Sequence, residues 1–342
     1  MKIKVKEEDF IVEEKANIPF KEGGRFKIYL LEKRGFNTVD CILKISKTCK
    51  IPLGKISYGG KKDRYGITKQ YVSIEGEKIK EIQEKSFSLK FIGEAERQMG
   101  PDLIEGNFFD IKIREIEESK ENIERDIEEI KTKGFVNYFD DQRFGSFSKK
   151  DGFIAEKIIK KHYNGALKIY LTSIYPGDKR EERERKKFFN ENWKNWDACL
   201  QKAKTKFERI AFRILKNNEP NPFLKAINLI PKEELSLFFS AFQSYLWNKV
   251  AEKVIKIYGL GFLSYRGNYW DYLFYKDLNS FEYLKEIQIP TISHNIKYPD
   301  DFIKNVYEEI LKERELKRNS FNLKKVKKAY FKSSKRSLIV FP

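Results

Sequence analysis

Cysteine and histidine are scarce in this chain of 342 residues, which holds three Cys and two His. Three cysteines (Cys41, Cys49 and Cys199) cannot form a disulfide framework, and their spacing is not that of metal ligands. We therefore interpret them as free thiols in a reducing cytosol. Two histidines, His162 and His294, leave almost nothing from which to build a zinc site or a Ser-His-Asp triad.

Long hydrophobic runs are also missing. No stretch approaches the roughly 18 consecutive apolar residues that a transmembrane helix needs. The first ten residues, MKIKVKEEDF, alternate charged and apolar side chains and lack the apolar run of a signal peptide. We therefore expect a soluble, cytoplasmic protein.

Charge of one sign is in clear excess. The chain has 69 Lys and Arg against 51 Asp and Glu, a net charge of +18, yet it is 40% hydrophobic and 15% aromatic, which is enough for a buried core. This balance predicts a polyanionic partner, with nucleic acid first and an anionic membrane surface second. A membrane-surface protein would need a basic amphipathic helix, and the helix predicted over 118–133 is mixed in charge.

The hydrophobic pattern changes along the chain and predicts an α+β protein of two domains. In the first part, alternating apolar residues predict strands, interrupted by a short helix after a cap at Asn37 or Thr38 and a turn at Gly106-Asn107. From about residue 150 most segments have helical spacing. The predicted strands are 3–5, 10–12, 26–30, 70–74, 109–113 and 338–341, and the longest predicted helices are 118–133, ending at Gly134, and 235–257.

Asp63 is the first candidate catalytic residue. It lies among Lys61, Lys62 and Arg64, directly after two glycines that allow a bulky partner to approach the backbone. Neighbouring cations favour a charged carboxylate, which suits a nucleophile. The segment lacks the spacing of a Walker phosphate loop. The alternative is a polar turn in which Asp63 makes a local hydrogen bond, and the segment alone favours that alternative.

A second candidate segment, residues 137–145, combines amide, aromatic and guanidinium groups within nine residues. This mixture suits an unstacked nucleobase, because aromatic faces stack on bases and amides bind the Watson–Crick edge. The alternative is an ordinary turn at the edge of a core, with Phe139 and Phe144 buried.

The chain contains five motifs of interest, which are, in chain order, Lys4 with residues 8–14, residues 60–64 with Thr68 and Gln70, residues 106–114, residues 137–145 and residues 240–248. Taken together, these motifs resemble those of the TruD family of tRNA pseudouridine synthases over most of the chain. Two residues depart from the family's usual motifs: Gly66 replaces an Ala, which we expect to matter little, and Asp140 replaces a Gly, which we expect to tighten a turn or weaken a phosphate contact.

The resemblance implies a fold. It predicts a pseudouridine-synthase-like catalytic domain with a mixed or antiparallel sheet at 1–150, completed by about 313–342. A mainly helical TRUD-type insertion domain is expected at 155–312, with an RNA-binding cleft between the domains. The carboxy-terminal strand is expected to join the sheet of the first domain.

The resemblance also implies a function, the isomerisation of a uridine to pseudouridine, with position 13 of tRNA as the suggested target. No cofactor or metal is implied. Asp63 would be the nucleophile, Lys4 the cation that keeps it charged, and Asn137 the reader of the uracil edge. The other implied contacts are Phe10 and Phe139 stacking on the base and Lys62, Arg64 and Arg143 on the RNA backbone. Taken alone, Lys4 is also compatible with a solvated lysine and Phe10 with a core residue.

A different class stays open, a catalytically silent tRNA-binding or tRNA-folding protein. The family usually continues past the end of this chain with a strand and a G-S-[YF]-A-T segment that contacts substrate, and Arg336 and Pro342 resemble the lead-in to it. The presence of Asp63 within its motif favours the enzyme. The expected partner is tRNA, with no membrane or protein partner, and we expect a monomer. The resemblance is compatible with attack of Asp63 on the base or on the sugar.

Overall fold

The structure is a computed structural model that describes residues 1–175, 177–326, 329 and 331–342. It divides into two compact units, residues 1–123 and 124–342. This division falls before the change of pattern near residue 150. The assignment of residues 1–150 to a catalytic domain and of residues 155–312 to an insertion domain stays a prediction.

The first unit is built on a seven-stranded sheet with the order β5-β6-β2-β4-β1-β7, in which β3 also pairs with β4. The pairing of β1 with β4 is parallel, whereas the other pairings are antiparallel. The elements are β1 (Phe10–Ala16), β2 (Phe26–Arg34), α1 (Thr38–Cys49), β3 (Ile56–Tyr58), β4 (Ile67–Glu75), β5 (Ile82–Gln83), β6 (Phe87–Ala95) and β7 (Ile104–Ile111), with 3-10 turns at Glu7–Asp9, Leu53–Lys55 and Pro101–Leu103.

Strand β4 determines where the candidate loop lies. Along its whole length it pairs with β2 on one side. On its other side β1 pairs with Ile67 to Lys69, and β3 pairs with Val72 to Ile74. Residues 59–66 connect β3 to β4, so they lie beside the first residues of β1.

Helix α1 covers the core of the first unit. It begins as predicted, because the Asn37 side chain accepts a hydrogen bond from the Val39 amide at 3.3 Å. Its apolar stripe buries Cys41, Ile42 and Ile45 in a cluster with side chains of β2, β3, β4 and β6. Burial raises the pKa of the Cys41 thiol to about 11, so this cysteine packs as a small apolar side chain.

Two local predictions for the first unit are wrong. Residues 3–5 are not a strand, since only Lys2 forms an isolated bridge, to Arg114, and Ile3 is exposed. Gly106 and Asn107 are not a turn, because they lie inside β7 and pair with Lys15 and Glu14. At Gly106 and Asn107, pairing with β1 overrides the local turn signal, whereas residues 3–5 pair with no strand.

The second unit is mainly helical around the long helix α9. Its elements are α2 (Lys120–Lys133, which crosses the boundary), β8 (Phe135–Val136), α3 (Ile154–Ile159), α4 (Tyr163–Thr172), α5 (Arg180–Glu191), α6 (Trp196–Lys202), α7 (Lys206–Lys216), α8 (Pro222–Ile227), α9 (Lys232–Tyr258), β9 (Gly259–Arg266), β10 (Asp271–Leu278), α10 (Phe281–Glu286), β11 (Gln288–Pro290), α11 (Asp301–Glu313), β12 (Lys335–Ser337) and β13 (Ile339–Val340), with 3-10 turns at Asp141–Phe144 and Arg318–Phe321.

The last strand pairs differently from the prediction. β13 pairs with β8 in a two-stranded sheet instead of joining the seven-stranded sheet. Two neighbouring contacts hold the chain there: β12 pairs with β11, and the Leu338 carbonyl between β12 and β13 accepts from the Asn137 amide at 2.8 Å. The α+β class, with a mixed sheet and a mostly helical part, is confirmed. Among the described residues, no helix combines the length and apolar character needed to cross a bilayer.

Candidate active site

The loop of residues 59–66, here called the Asp63 loop, is fixed from several neighbouring elements. The Lys62 amide donates to the Thr38 hydroxyl on α1 at 3.1 Å, and the Thr38 hydroxyl donates to Gln70 Oε1 at 3.0 Å. The Gln70 Nε2 in turn donates to the Gly60 carbonyl at 3.0 Å. Gln70 therefore ties the loop to β4, which explains its place in the motif.

Lys62 points into the protein. Its Nζ lies 2.7 Å from Glu14 Oε2, and it also donates to Asn107 Oδ1, so that 9% of its side chain is exposed. The buried Glu14 also accepts from the Tyr71 amide at 3.0 Å. The predicted phosphate contact of Lys62 stays a prediction, and it would require the ammonium to leave Glu14, with which it is paired inside the sheet.

Gly66 is the last residue of the Asp63 loop, and its backbone has φ at +143°, a conformation that residues other than glycine rarely adopt. A Cβ atom there would lie 2.4 Å from the Phe10 carbonyl oxygen. The expectation that Gly in place of Ala matters little is therefore wrong for this chain. The close approach of β1 to the loop requires a glycine.

Asp63 itself lies at the surface beside a cation. Its side chain is 41% exposed, and Lys4 Nζ lies 3.4 Å from its Oδ1. The same Nζ lies 3.8 Å from the centroid of the Phe10 ring. Phe10 is buried and packs against Phe109, with ring centroids 6.1 Å apart. Lys4, Phe10 and Asp63 thus form one group, here called the Asp63 cluster.

The amino-terminal segment that carries Lys4 is anchored on both sides of it. Arg114 donates from Nε and Nη2 to the two carboxylate oxygens of buried Asp9, each at 2.7 Å. Lys2 exchanges two main-chain hydrogen bonds with Arg114. The hydrogen bonds from Arg114 lower the pKa of Asp9 to about 2. Lys4 has a left-handed backbone, with φ at +57°, which these anchors hold in place.

A second lysine, Lys33, contacts the backbone of Asp63. The side chain of Lys33 on β2 is completely buried, and its Nζ donates to the main-chain carbonyl of Asp63. Burial lowers the pKa of Lys33, an effect opposed by the nearby charge of Asp63. Its ammonium therefore fixes the backbone of the candidate nucleophile, while Lys4 contacts the carboxylate.

The second unit holds a separate group around Phe139, here called the Phe139 cluster. The Phe139 amide donates to Asn248 Oδ1 at 2.9 Å, and Asn248 Nδ2 donates back to the Phe139 carbonyl at 2.8 Å. The Trp247 ring meets Phe139 edge to face at 5.7 Å. Both partners lie on α9, which explains why residues 240–248 accompany residues 137–145 in the motif set.

Arginine side chains surround Phe139. The Arg336 guanidinium lies 4.1 Å from the ring centroid and that of Arg143 lies 5.4 Å away. Arg336 also donates to the Asn137 carbonyl at 2.7 Å and to Asn137 Oδ1. Burial lowers the pKa of Arg336, and neighbouring Arg143 adds to that effect. Phe139 and both arginines line a cavity of about 950 Å³ in the second unit.

The structure thus groups the predicted residues in two sets, Lys4, Phe10 and Asp63 in the first unit and Asn137, Phe139 and Arg143 in the second. Arg64 is exposed, with its guanidinium 5.6 Å from the exposed ring of Tyr65. In the part of the chain that the structure describes, no three His, Cys, Asp or Glu side chains are arranged to hold a metal ion.

The sequence did not indicate the roles of Lys33 and Arg114, and it indicated Arg336 only as a residue that precedes the family's carboxy-terminal segment. Lys33 could have been found, because it follows Tyr29 and Leu31 at two-residue spacing and so shares their buried face. No local sequence signal indicates that Arg114 binds Asp9 or that Arg336 binds Asn137, because these partners lie 105 and 199 residues away.

A mixed sheet carrying an exposed, lysine-paired aspartate, together with a helical unit carrying the Phe139 cluster, is the arrangement expected of a pseudouridine synthase. The family model of tRNA pseudouridine synthase D (TruD) matches residues 1–261. The chain belongs to this family, a family of isomerases.

Named relatives can be aligned with most or all of the chain. A tRNA pseudouridine synthase D of Methanococcus maripaludis is 34% identical over all of this chain and 89% of its own length. One of Methanocaldococcus jannaschii is 35% identical over 94% of this chain and 78% of its own. A solved TruD structure from Methanosarcina mazei, 22% identical, superposes with a TM-score of 0.74 over 99% of this chain and 84% of its own, which supports the fold.

Proposed function

We propose that this protein isomerises a uridine of tRNA, at position 13, to pseudouridine, with Asp63 as the nucleophile. The observation that carries the proposal is the Asp63 cluster, in which an exposed carboxylate has Lys4 Nζ 3.4 Å from one oxygen. Residues 1–123 hold this cluster, so we assign catalysis to the first unit and RNA recognition to both units.

The reaction is a rearrangement with no external group. The bond between N1 of uracil and C1′ of ribose breaks, the base rotates, and a bond forms between C5 and C1′, while the proton on C5 is lost and N1 gains one. A carboxylate can attack either C1′ or the base, and both routes need an exposed, charged oxygen. Lys4 stabilises that charge. The hydrogen bond from Lys33 Nζ to the main-chain carbonyl of Asp63 holds the backbone of Asp63 in place during the attack.

We assign base recognition to the Phe139 cluster. Extruding a base from a helix costs a few kcal/mol, which stacking and hydrogen bonds in the pocket repay. Asn137 supplies an amide for the edge of uracil, and Phe139 with its arginine neighbours supplies flat surfaces. Because Phe10 is buried under Lys4, we assign it to the floor of the Asp63 cluster and not to a free stacking face.

Phosphate contacts are assigned to exposed cations. Arg64 extends from the Asp63 loop, and Arg143 lies at the cavity beside Phe139. The basic run 324–328 is a further candidate on the strength of its sequence, and its residues Lys327 and Lys328 lie outside the described residues.

The decisive experiment is incubation of the purified protein with total tRNA, followed by carbodiimide mapping of pseudouridine. We expect a new modification at position 13, and its loss in Asp63→Asn with RNA affinity within a few-fold of the parent, since the amide keeps the shape of the side chain. Tight tRNA binding without any pseudouridine in the parent protein would support the silent tRNA-binding alternative instead. Turnover by Asp63→Asn would remove Asp63 from the reaction.

A further inference from the structure

The Asn137 amide is held from both ends. Arg336 Nη2 donates to its Oδ1, and its Nδ2 donates to the Ser337 carbonyl at 3.1 Å. A guanidinium can only donate and a carbonyl can only accept. The positions of the amide oxygen and nitrogen are therefore fixed by chemistry, and rotation of the amide by 180° would set a donor against Arg336 and an acceptor against Ser337.

Arg336 is itself immobilised. Its Nε donates to the Asn137 carbonyl at 2.7 Å, and its Nη2 also reaches the Tyr138 carbonyl at 3.2 Å. Its guanidinium lies 4.1 Å from the centroid of Phe139 and 5.5 Å from that of Trp247. A planar group bonded on its edge and stacked on its face has one orientation, so it is a rigid reference for the amide.

The fixed amide keeps hydrogen-bonding capacity for a ligand. Oδ1 can accept a second hydrogen bond, and Nδ2 can donate a second one. The imide edge of uracil offers a donor at N3 and an acceptor oxygen beside it, which matches this pair. Cytosine offers an acceptor at N3 and an amino donor beside it, so a cytosine held in the same position as uracil would match the amide only after the 180° rotation.

We propose that Arg336 is a positioning residue that makes Asn137 select uracil over cytosine, by fixing the orientation of the Asn137 amide. The proposal rests on the proposed function, in which Asn137 binds the base. It assigns Arg336 no contact with the reacting atoms.

The test compares two tRNA transcripts that differ only in uridine or cytidine at the target position. Binding is measured in an Asp63→Asn background, so that no product forms. One bidentate base contact is worth about 1–3 kcal/mol of discrimination. We therefore expect the parent to prefer uridine by roughly tenfold or more, and Arg336→Met to reduce that ratio about tenfold, toward equal binding. Thermal unfolding of each variant checks folding.

Arg336→Gln covers the case in which Arg336→Met does not fold. The glutamine amide can donate or accept and so permits both orientations of Asn137, and we expect the same fall in the ratio. Arg143→Met is the matched control, because its guanidinium lies over the same ring but forms no hydrogen bond to Asn137 in the described structure. It should weaken binding of both transcripts and leave their ratio unchanged.

Equal weakening of both transcripts by the Arg336 variants would overturn the proposal and reduce Arg336 to a structural role. Asn137→Ala separates this from the proposed function. If Asn137→Ala keeps the parental ratio, base recognition by Asn137 is wrong. If it removes the ratio while the Arg336 variants keep it, only the role of Arg336 is wrong.

Discussion

The ammonium of Lys33 donates a hydrogen bond to the main-chain carbonyl of Asp63 from a side chain that is completely buried. The candidate nucleophile therefore has two lysines, one on its backbone and one on its carboxylate. We propose different roles for them: Lys4 places a positive charge beside the carboxylate, and Lys33 holds the backbone in position.

We expect Lys33→Met to lower kcat by roughly 100-fold and to leave KM for tRNA nearly unchanged, because a displacement of about 1 Å in a reacting group can cost that much. Steady-state kinetics with tRNA measures both constants. Lys90→Met, on an exposed position of the same sheet, is the control and should behave as the parent. A normal kcat in Lys33→Met would show that the backbone of Asp63 needs no such anchor.

The second prediction concerns Gly66. We expect Gly66→Ala to destabilise the protein by about 1–3 kcal/mol, because it adds a Cβ atom 2.4 Å from the Phe10 carbonyl in a backbone conformation with φ at +143°. Gly60→Ala is the control in the same loop, since a Cβ there has no neighbour within 4 Å. Urea unfolding measures both. Equal stability of the two variants would contradict the close approach of β1 to the Asp63 loop.

Much of this fold follows from local patterns. The cap at Asn37 and the helices that begin at residues 120 and 232 could be predicted from the spacing of apolar residues and from the residues at helix ends. Packing against the rest of the protein reinforces these local preferences. Two of the failures in the fold share a cause. Gly106 lies in a strand, and β13 pairs with β8, because distant partners decide strand pairing and local sequence does not.

The candidate site divides in the same way. The glycines and cations around Asp63 draw attention to it, but its segment alone favours a polar turn, so the roles predicted for Asp63 and Lys4 come from the resemblance of their motifs to the family. Lys62 is predicted from its charge to contact phosphate, and the sequence does not indicate that Glu14, 48 residues away, pairs with it inside the sheet. A partner for a buried charge is visible only in three dimensions.

The third prediction is a pH dependence from Asp9. Arg114 lowers the pKa of Asp9 from 3.8 to about 2, so in the folded state this carboxyl releases its proton more readily than in the unfolded chain. Its stabilising effect is therefore complete above about pH 5 and is lost as the pH falls through the range from about 4 to about 2. We expect the difference in unfolding free energy between the parent and Asp9→Asn to shrink over that range.

Chemical denaturation at a series of pH values between about 2 and about 6 measures this difference. Glu115→Gln is the control, because the pair of Glu115 with Lys2 is exposed and should contribute less than about 1 kcal/mol at any pH. A difference for Asp9→Asn that stays constant down to pH 2 would show that Arg114 does not hold the Asp9 carboxylate in its charged form.

The last prediction distinguishes two cations that are neighbours in the sequence, Lys62 and Arg64. A cation that contacts phosphate releases a counterion, and its loss flattens the plot of log affinity against log salt by about 0.7–0.9 per contact. Arg64 is exposed, so Arg64→Ala should flatten the slope by about that amount. Lys62→Met also removes one positive charge, but the ammonium it removes is paired with buried Glu14.

Lys62→Met should therefore leave the slope unchanged and instead lower stability by about 3–5 kcal/mol, the usual cost of leaving one member of a buried ion pair alone. Binding of a tRNA transcript at several salt concentrations and unfolding in urea measure the two effects. The variants are matched, because each changes the net charge by one within the same loop. If Lys62→Met flattened the slope and Arg64→Ala did not, the ammonium of Lys62 would leave Glu14 to meet the RNA, and the anchoring of the Asp63 loop would have to change on binding.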